Sequence, residues 1–228
     1  MALTENDIID IVYSLYETDD DGWDTDSDEY LSARRYCNTA IARWERYDNT
    51  VWNELWTKLS DAADGDKTTT AGTYAYDCPT DFIRPGSWVR TGATPVYWQV
   101  IPNKDYAEQD QINNISKFCY LSGSVRDGFQ INFNPNVTLT TGDEIAYEYY
   151  KTATTFTTTA STTEMADPYF IVYYTLARFL RNDGEDYSEE ANQADDLLEN
   201  MRVINMSGFP NIPNTINESI TNSDGFGY

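Results

Sequence analysis

Residues 163–202 constrain the fold of this chain most, because two consecutive helices can be located there from local signals alone. Asp167 precedes Pro168, and a carboxylate followed by proline at the first helical position is typical of a helix start. Apolar side chains then recur every three or four residues, which predicts one wide apolar stripe. The stripe consists of Phe170, Tyr173, Tyr174, Ala177 and Leu180. Gly184 follows it and predicts a left-handed cap at the helix end.

A second helix is predicted to begin at Asp186, because Glu189 follows at the three-residue spacing of a capping box. Its apolar face consists of Tyr187, Ala191, Ala194, Leu198 and Met201. Two short amphipathic helices cannot bury stripes of this width against each other alone. We therefore expect a helical hairpin that packs on other elements.

The N-terminal region predicts three further helices, at residues 4–16, 27–47 and 50–63, with Thr4 as a cap for the first. Neither these helices nor the hairpin can close a core separately, so the two regions must meet. The sequence thus predicts a discontinuous bundle of about five helices, built from residues 1–66 and 160–204. Residues 205–228 are polar, contain two prolines and predict an extended C-terminal arm.

The segment between the two helical regions has the pattern of β-strands. Turn sequences separate about six short runs with alternating apolar residues. The predicted strands are residues 73–78, 88–90, 96–101, 118–121, 128–133 and 144–150. We expect an inserted domain at residues 67–159, a small antiparallel sandwich or barrel, which makes the fold class α+β.

The composition excludes several kinds of chemistry. The 228 residues include 15 Lys and Arg against 38 Asp and Glu, which gives a formal charge of −23. The electric field of this net negative charge disfavours binding to nucleic acid phosphates. It suits a passage through which DNA must slide without binding. A high net charge equally serves solubility alone. The chain contains no histidine and only three widely spaced cysteines, so we expect no catalytic triad, no structural zinc, no cofactor and no enzymatic activity.

Targeting signals are also missing from the sequence. No basic segment followed by an apolar core opens the chain, and no apolar run approaches the ~20 residues of a membrane helix. We expect synthesis in the cytoplasm and no association with a membrane.

An acidic segment follows the first predicted helix and raises the question of calcium binding. Glu17, Asp19, Asp21 and Asp28 lie at loop positions 1, 3, 5 and 12 of an EF-hand, with Gly22 at position 6. Glu17 replaces the usual Asp at position 1, and Asp28 replaces the usual Glu at position 12. Asp24 stands at position 8, where the motif usually has an apolar residue. A solvated acidic loop is the favoured interpretation, and calcium the weaker one.

Four arginines lie in the second predicted helix of this acidic chain. Arg34, Arg35, Arg43 and Arg46 fall largely off its apolar face. They can pair with carboxylates of the same chain or with an acidic interface on a neighbouring subunit, and the sequence leaves both open.

The order of elements resembles the head-to-tail adaptor proteins of tailed bacteriophages, also called connector or head completion proteins, in the class with an inserted β domain. The resemblance lies in helices ending in Trp52-Asn53-Glu54-Leu55-Trp56, a β insertion introduced by Cys78-Pro79-Thr80-Asp81-Phe82, and Asp167-Pro168 opening a helical hairpin. It covers most of the chain at the level of architecture.

This resemblance implies a structural virion protein that forms a ring, usually of about twelve copies, at the junction of portal and tail. It implies a DNA conduit with portal protein above and tail or nozzle proteins below. The four arginines would then contact the adjacent subunit. The arm would be anchored on the portal by Phe209, Ile212, Phe226 and Tyr228.

A carbohydrate- or receptor-binding module is the competing prediction, with the β insertion as the binding part. Trp88 and Trp98, on adjacent predicted strands, are its most suggestive pair, although core packing is the favoured interpretation of both.

Overall fold

The structure is a computed structural model, and it describes residues 3–17, 22–63, 67–101 and 116–207. The chain divides into two units: Met1–Trp52 together with Thr155–Tyr228, and Asn53–Thr154 between them. We call the described parts of these the helical unit and the strand unit.

The helical unit contains four α-helices among the described residues. They are α1 (Glu5–Tyr16), α2 (Asp28–Glu45), α3 (Tyr169–Asp183) and α4 (Ser188–Ser207). Side chains from all four helices form its core, including Ile8, Val12, Ala33, Ile41, Phe170, Ile171 and Leu198. No helix in the described ranges is both long enough and apolar enough to cross a membrane.

Local capping fixes where α1 and α2 begin. The Thr4 hydroxyl accepts a hydrogen bond from the Asp7 backbone N–H, and the Asp7 carboxylate accepts one from the Thr4 N–H. This is the reciprocal pattern of a capping box. The Ser27 hydroxyl likewise accepts the Tyr30 N–H at the start of α2.

The hairpin of α3 and α4 forms, with the predicted caps at Asp167 and Gly184 in place. The Asp167 carboxylate accepts the Tyr169 N–H at 3.1 Å, directly after the chain passes Pro168. At the other end of α3, Gly184 adopts a φ of 79°, and the Glu185 N–H donates to the Leu180 carbonyl. This left-handed turn satisfies the last carbonyls of α3 and reverses the chain into α4. That helix continues to Ser207, so it includes Asn205, where the arm was predicted to begin.

The strand unit is one mixed sheet of seven strands. The strands are β1 (Trp56–Lys58), β2 (Ala75–Asp77), β3 (Phe82–Thr91), β4 (Val96–Ile101), β5 (Phe118–Ser124), β6 (Gly128–Phe133) and β7 (Ile145–Lys151). Their order in the sheet is β1-β7-β3-β4-β5-β6-β2. Every neighbouring pair is antiparallel except β4 and β5, which run parallel.

The sheet curls into a half-barrel around an aromatic core. Phe82 on β3 contacts Phe129 on β6 with ring centroids 5.5 Å apart, although these strands are three places apart in the sheet. Trp98 on β4 contacts Phe133 on β6 at 5.0 Å and donates its indole N–H to Thr91. Contacts across the concave face thus bury the large rings that alternate along the strands.

The predicted fold class is wrong in its architecture. The described residues contain four α-helices rather than about five, and a single mixed half-barrel replaces the antiparallel sandwich or closed barrel. Parallel pairing of β4 with β5 depends on the path of the chain between them, which the strand pattern does not encode. The strand predicted at residues 88–90 is longer, Phe82–Thr91, and a shift of register accommodates Pro85 and Gly86 inside it.

The third predicted helix, at residues 50–63, is also wrong. Asp48 and Asn49 adopt positive φ values just before it, and two 3₁₀ turns flank the short strand β1 in its place. Strand β1 pairs with β7, with Trp56 opposite Tyr150. Leu55 and Leu59, which are four positions apart as on one face of a helix, lie in these two turns.

Candidate functional site

A pocket in the helical unit combines aromatic rings with carboxylates, and we call it the acidic aromatic pocket. It lies where α1 ends, where α2 begins and where α3 ends, and its volume is about 410 Å³. Its lining consists of Tyr16, Glu17, Trp23, Asp28, Glu29, Ser32, Tyr36, Phe179, Asn182 and Asp183. Four of these are acids and none is Lys or Arg, counting described residues only.

Aromatic rings form the body of this pocket. Trp23, in the loop between α1 and α2, contacts Phe179 of α3 at 5.0 Å between ring centroids. Tyr16 of α1 and Tyr36 of α2 reach the same phenylalanine at 5.4 and 5.3 Å. Phe179 is therefore the centre of a four-ring cluster with tilted and edge contacts, the arrangements that aromatic pairs prefer.

Hydrogen bonds hold the polar rim of the pocket. The Tyr16 hydroxyl donates to the Asp183 carboxylate, and the Asn182 amide donates to the Tyr36 hydroxyl at 2.6 Å. The bond to Asp183, together with burial, raises the pKa of Tyr16 to about 12, so this hydroxyl stays a donor. The C-terminal ends of α1 and α3 add partial negative charge, while the N-terminus of α2 contributes the opposite sign.

The structure separates Arg34 from the other three arginines of α2. Its Nε lies 2.7 Å from a carboxylate oxygen of Glu5, a residue with no exposed surface. The Tyr30 hydroxyl donates to the same oxygen at 3.2 Å. Arg34 thus already neutralises a buried carboxylate of its own chain. Whether it also contacts a neighbouring subunit stays a prediction.

Arg35 and Arg43 lie on the exposed side of α2, Arg46 directly follows its last residue, and we call these three the arginine face. Their positions, with Thr39 and Ala42 between them, recur at helical spacing. Arg43 pairs with the exposed Asp195 at 2.7 Å and lies over the Tyr174 ring, 5.5 Å from its centroid. Arg35 and Arg46 are exposed and form no ion pair with a carboxylate among the described residues. That this face is a subunit interface also stays a prediction.

The other predicted site residues are only partly described. Phe209, Ile212, Phe226 and Tyr228 of the arm lie outside the described residues, as do Asp19 and Asp21 of the calcium candidate. Glu17 and Asp28 both line the acidic aromatic pocket. Within the described ranges, no group of three acids or cysteines is placed to hold a metal ion.

The strand unit carries a second aromatic feature, on the convex side of β3 and β4. Trp88 lies opposite Gln99 and Arg90 opposite Tyr97, so these four side chains share a face. Trp88 is 53% exposed and Tyr97 is 57% exposed. The suggested pairing of Trp88 with Trp98 is wrong, because Trp98 points into the core on the opposite face and is 1% exposed.

Sequence reasoning missed most of the acidic aromatic pocket. Glu17 and Asp28 were noted as calcium candidates, whereas Trp23, Tyr36, Phe179 and Asp183 were not selected at all. One local signal was present, a tryptophan inside an acidic segment that has no helical or strand period of its own. Comparison of the chain with known protein families and with curated proteins found no match to either.

Proposed function

We propose that this chain is a structural subunit that associates head to tail into a ring, as an adaptor between the portal and the tail of a bacteriophage virion. The arginine face carries the proposal. In a chain with 38 acids, Arg35 and Arg46 remain exposed without an ion pair among the described residues. A second copy, with its large excess of carboxylates, supplies the acidic surface that these cations lack.

The end of α4 supports contact with a further partner, which we assign as the portal protein. Val203, Ile204 and Met206 are 52%, 68% and 62% exposed, on the last turns before residues 208–228. Exposed apolar side chains grouped in this way are typical of protein–protein contact surfaces. In the proposed assembly this helix end and the arm that follows it bind the portal.

The net charge of −23 supports the role of a DNA conduit. A wall of the same sign as the phosphate backbone repels DNA and lets it pass without sticking. In this assembly the protein binds no DNA sequence and catalyses no reaction.

Measurement of mass in solution tests this proposal. Light scattering after gel filtration should show a ring, either for the protein alone or after mixing with the portal protein of the same genome. A monomer that ignores the portal protein would overturn the proposal.

Removal of residues 208–228 tests the portal contact separately. The truncated chain should keep the thermal unfolding profile of the full chain, because α4 stays complete. It should no longer bind the portal protein. Truncation at residue 205 is the wrong design, because Asn205 is buried and its amide donates to the Val51 carbonyl at 2.8 Å. Portal binding that survives the truncation at 208 would contradict the assignment of the arm.

Carbohydrate binding by the strand unit is a second candidate function, favoured by the exposed pair Trp88 and Tyr97. Aromatic rings on adjacent strands at diagonal positions offer a flat surface for stacking. A glycan array probed with the full chain, and with the double variant Trp88→Ala and Tyr97→Ala, tests it. Glycan binding by the full chain that the double variant lacks would support this function. An array on which the full chain gives no signal would contradict it.

A further inference from the structure

We infer that the acidic aromatic pocket of one copy binds the guanidinium group of Arg46 from the next copy. This inference rests on the proposed function, because it names the contact that joins neighbouring subunits in the ring. It assigns a ligand class to the pocket, an organic cation, and a source for it, the far end of α2 in a second chain.

The chemistry of the pocket selects a cation. The faces of Trp, Tyr and Phe rings attract cations through their quadrupoles, and Arg is the side chain most often found there. Carboxylates accept the hydrogen bonds of a guanidinium group in a planar, bidentate arrangement. The pocket supplies four rings and four carboxylates, and its described lining contains no cation of its own.

Arg46 is, with Arg35, one of the two arginines of the arginine face that have no described ion pair, and it lies at the end of α2 away from the pocket. Arg34 is held by Glu5, Arg43 by Asp195, and Arg202 by Glu199. Arg46 follows the last residue of α2, is exposed, and lines an open surface with Tyr47 and Asp48. It therefore loses no described ion pair when it binds elsewhere.

The length of α2 prevents Arg46 from reaching the pocket of its own chain. Helix α2 has 18 residues, and at about 1.5 Å per residue the two ends are about 27 Å apart. Asp28 and Glu29 of the pocket lie in the first turn of α2, whereas Arg46 directly follows the last residue of this helix. A contact between pocket and arginine must therefore join two chains.

This separation also determines the type of assembly. The two surfaces in contact are different, so each copy has one pocket free to accept and one arginine free to donate. Such a heterologous contact repeats from copy to copy and gives a ring where the rotation closes.

The helix dipole explains only part of this arrangement. Acids at the N-terminus and arginines at the C-terminus of α2 both stabilise the helix itself. That effect needs no aromatic residues, whereas Trp23, Tyr16 and Phe179 come from other parts of the fold and pack together beside the acidic end. An aromatic cluster next to carboxylates is useful for binding a cation, whereas helix capping does not need it.

Two variants with matched controls test the inference. The pocket variant combines Glu29→Gln with Asp183→Asn, which removes two charges and keeps the hydrogen-bonding shape. Its control combines Asp24→Asn with Asp26→Asn, two exposed acids that do not line the pocket. The arginine variant is Arg46→Ala, and its control is Arg126→Ala, an exposed arginine in a turn of the strand unit.

The pocket variant and the arginine variant should each weaken self-association at least about tenfold, equal to about 1.4 kcal/mol at 25 °C. The controls should stay within about twofold of the wild type. Sedimentation velocity measures the association, and circular dichroism confirms that all four variants are folded. If the wild type assembles only on the portal protein, the same comparison is made by counting copies bound per portal.

Mixing the two defective variants gives the decisive result. The intact arginine of the pocket variant fits the intact pocket of the arginine variant, so the mixture should form a heterodimer at concentrations where neither variant associates alone. Defective variants that assemble like the wild type, or a mixture that fails to pair, would overturn the inference while the wild-type ring would still support the proposed function. A wild type that is monomeric alone and with the portal protein overturns both.

Discussion

Glu5 and Arg34 form the most constrained charged contact at the scale of single residues. Glu5 is fully buried, and its described partners, Arg34 and the Tyr30 hydroxyl, both bind one of its two carboxylate oxygens. A buried carboxylate that loses its cation retains the full penalty of desolvation. The stability of the helical unit therefore depends on Arg34 more than on any exposed arginine of α2.

Replacement of Arg34 by Ala should lower the free energy of unfolding by about 2–3 kcal/mol, near the lower limit for breaking a buried ion pair, because the guanidinium is partly exposed. Urea denaturation followed by circular dichroism measures the change. Arg35→Ala is the matched control on the next residue, and it should stay within about 0.5 kcal/mol of the wild type. Equal changes in the free energy of unfolding would show that the contact between Arg34 and Glu5 does not stabilise the fold.

The three cysteines are free and buried, and this predicts a lack of thiol reactivity. Burial raises the pKa of Cys37 and Cys119 to about 12 and that of Cys78 to about 11. Because the thiolate is the reactive form, Ellman's reagent at pH 8 should detect no thiol in the folded protein. It should detect all three after unfolding in guanidinium chloride. Rapid reaction of any thiol in the folded state would contradict the burial of that cysteine.

The hairpin of β5 and β6 offers a test at the scale of elements. Gly123 and Gly128 both adopt positive φ values, 96° and 82°, so alanine is strained at either position. A Cβ on Gly128 meets nothing within 4 Å, whereas a Cβ on Gly123 would overlap the carbonyl oxygen of Gly128. The two positions therefore separate backbone strain from steric overlap.

Gly128→Ala should destabilise the protein by about 1–2 kcal/mol, the usual penalty of a left-handed conformation. Gly123→Ala should lower the free energy of unfolding by about 1–3 kcal/mol more than Gly128→Ala, because the strands must move apart. Urea denaturation compares the two variants directly. A Gly123→Ala variant as stable as Gly128→Ala would show that the hairpin accommodates the extra carbon without loss.

Elements with strong local signals were the ones that sequence alone could predict. The Thr4 cap, the Asp167-Pro168 start and the Gly184 turn depend on contacts within a few residues, and all three form. The predicted bounds of β4 and β6 agree with the structure, and a turn precedes each of these strands. In these segments, interactions between residues close in sequence are sufficient to predict where a helix or strand begins or ends.

Contacts between distant parts of the chain account for what could not be predicted. Residues 50–63 carry an apolar spacing typical of a helix, but pairing of Trp56–Lys58 with β7 overrides that preference. The acidic aromatic pocket joins Trp23 to Phe179, and no period in either segment indicates that they meet. Sheet architecture and the pocket both follow from tertiary packing.

The whole molecule adds a long-range electrostatic effect to the local contacts. A ring of about twelve chains would carry a formal charge of about −276, so subunits repel one another at low ionic strength. Added salt screens this repulsion, while a desolvated contact inside the pocket is screened much less. Net charge and local complementarity thus respond differently to salt.

Assembly should therefore improve when salt or divalent cations are raised from low concentration. Light scattering across a sodium chloride series, repeated with magnesium at matched ionic strength, measures the ring fraction. The variant with Asp24→Asn and Asp26→Asn should need slightly less salt, since each copy carries two fewer charges. A ring fraction that falls steadily with salt would contradict the dominance of repulsion.

The buried thiols, together with the lack of histidine, leave the protein almost insensitive to acidity near neutrality. Histidine is the side chain whose ordinary pKa lies closest to neutrality, and the chain has none. Burial displaces the pKa values of the three thiols to about 11 or 12. A pH change near neutrality is therefore a poor trigger for the proposed assembly, which leaves a partner, an ion or the order in which proteins arrive.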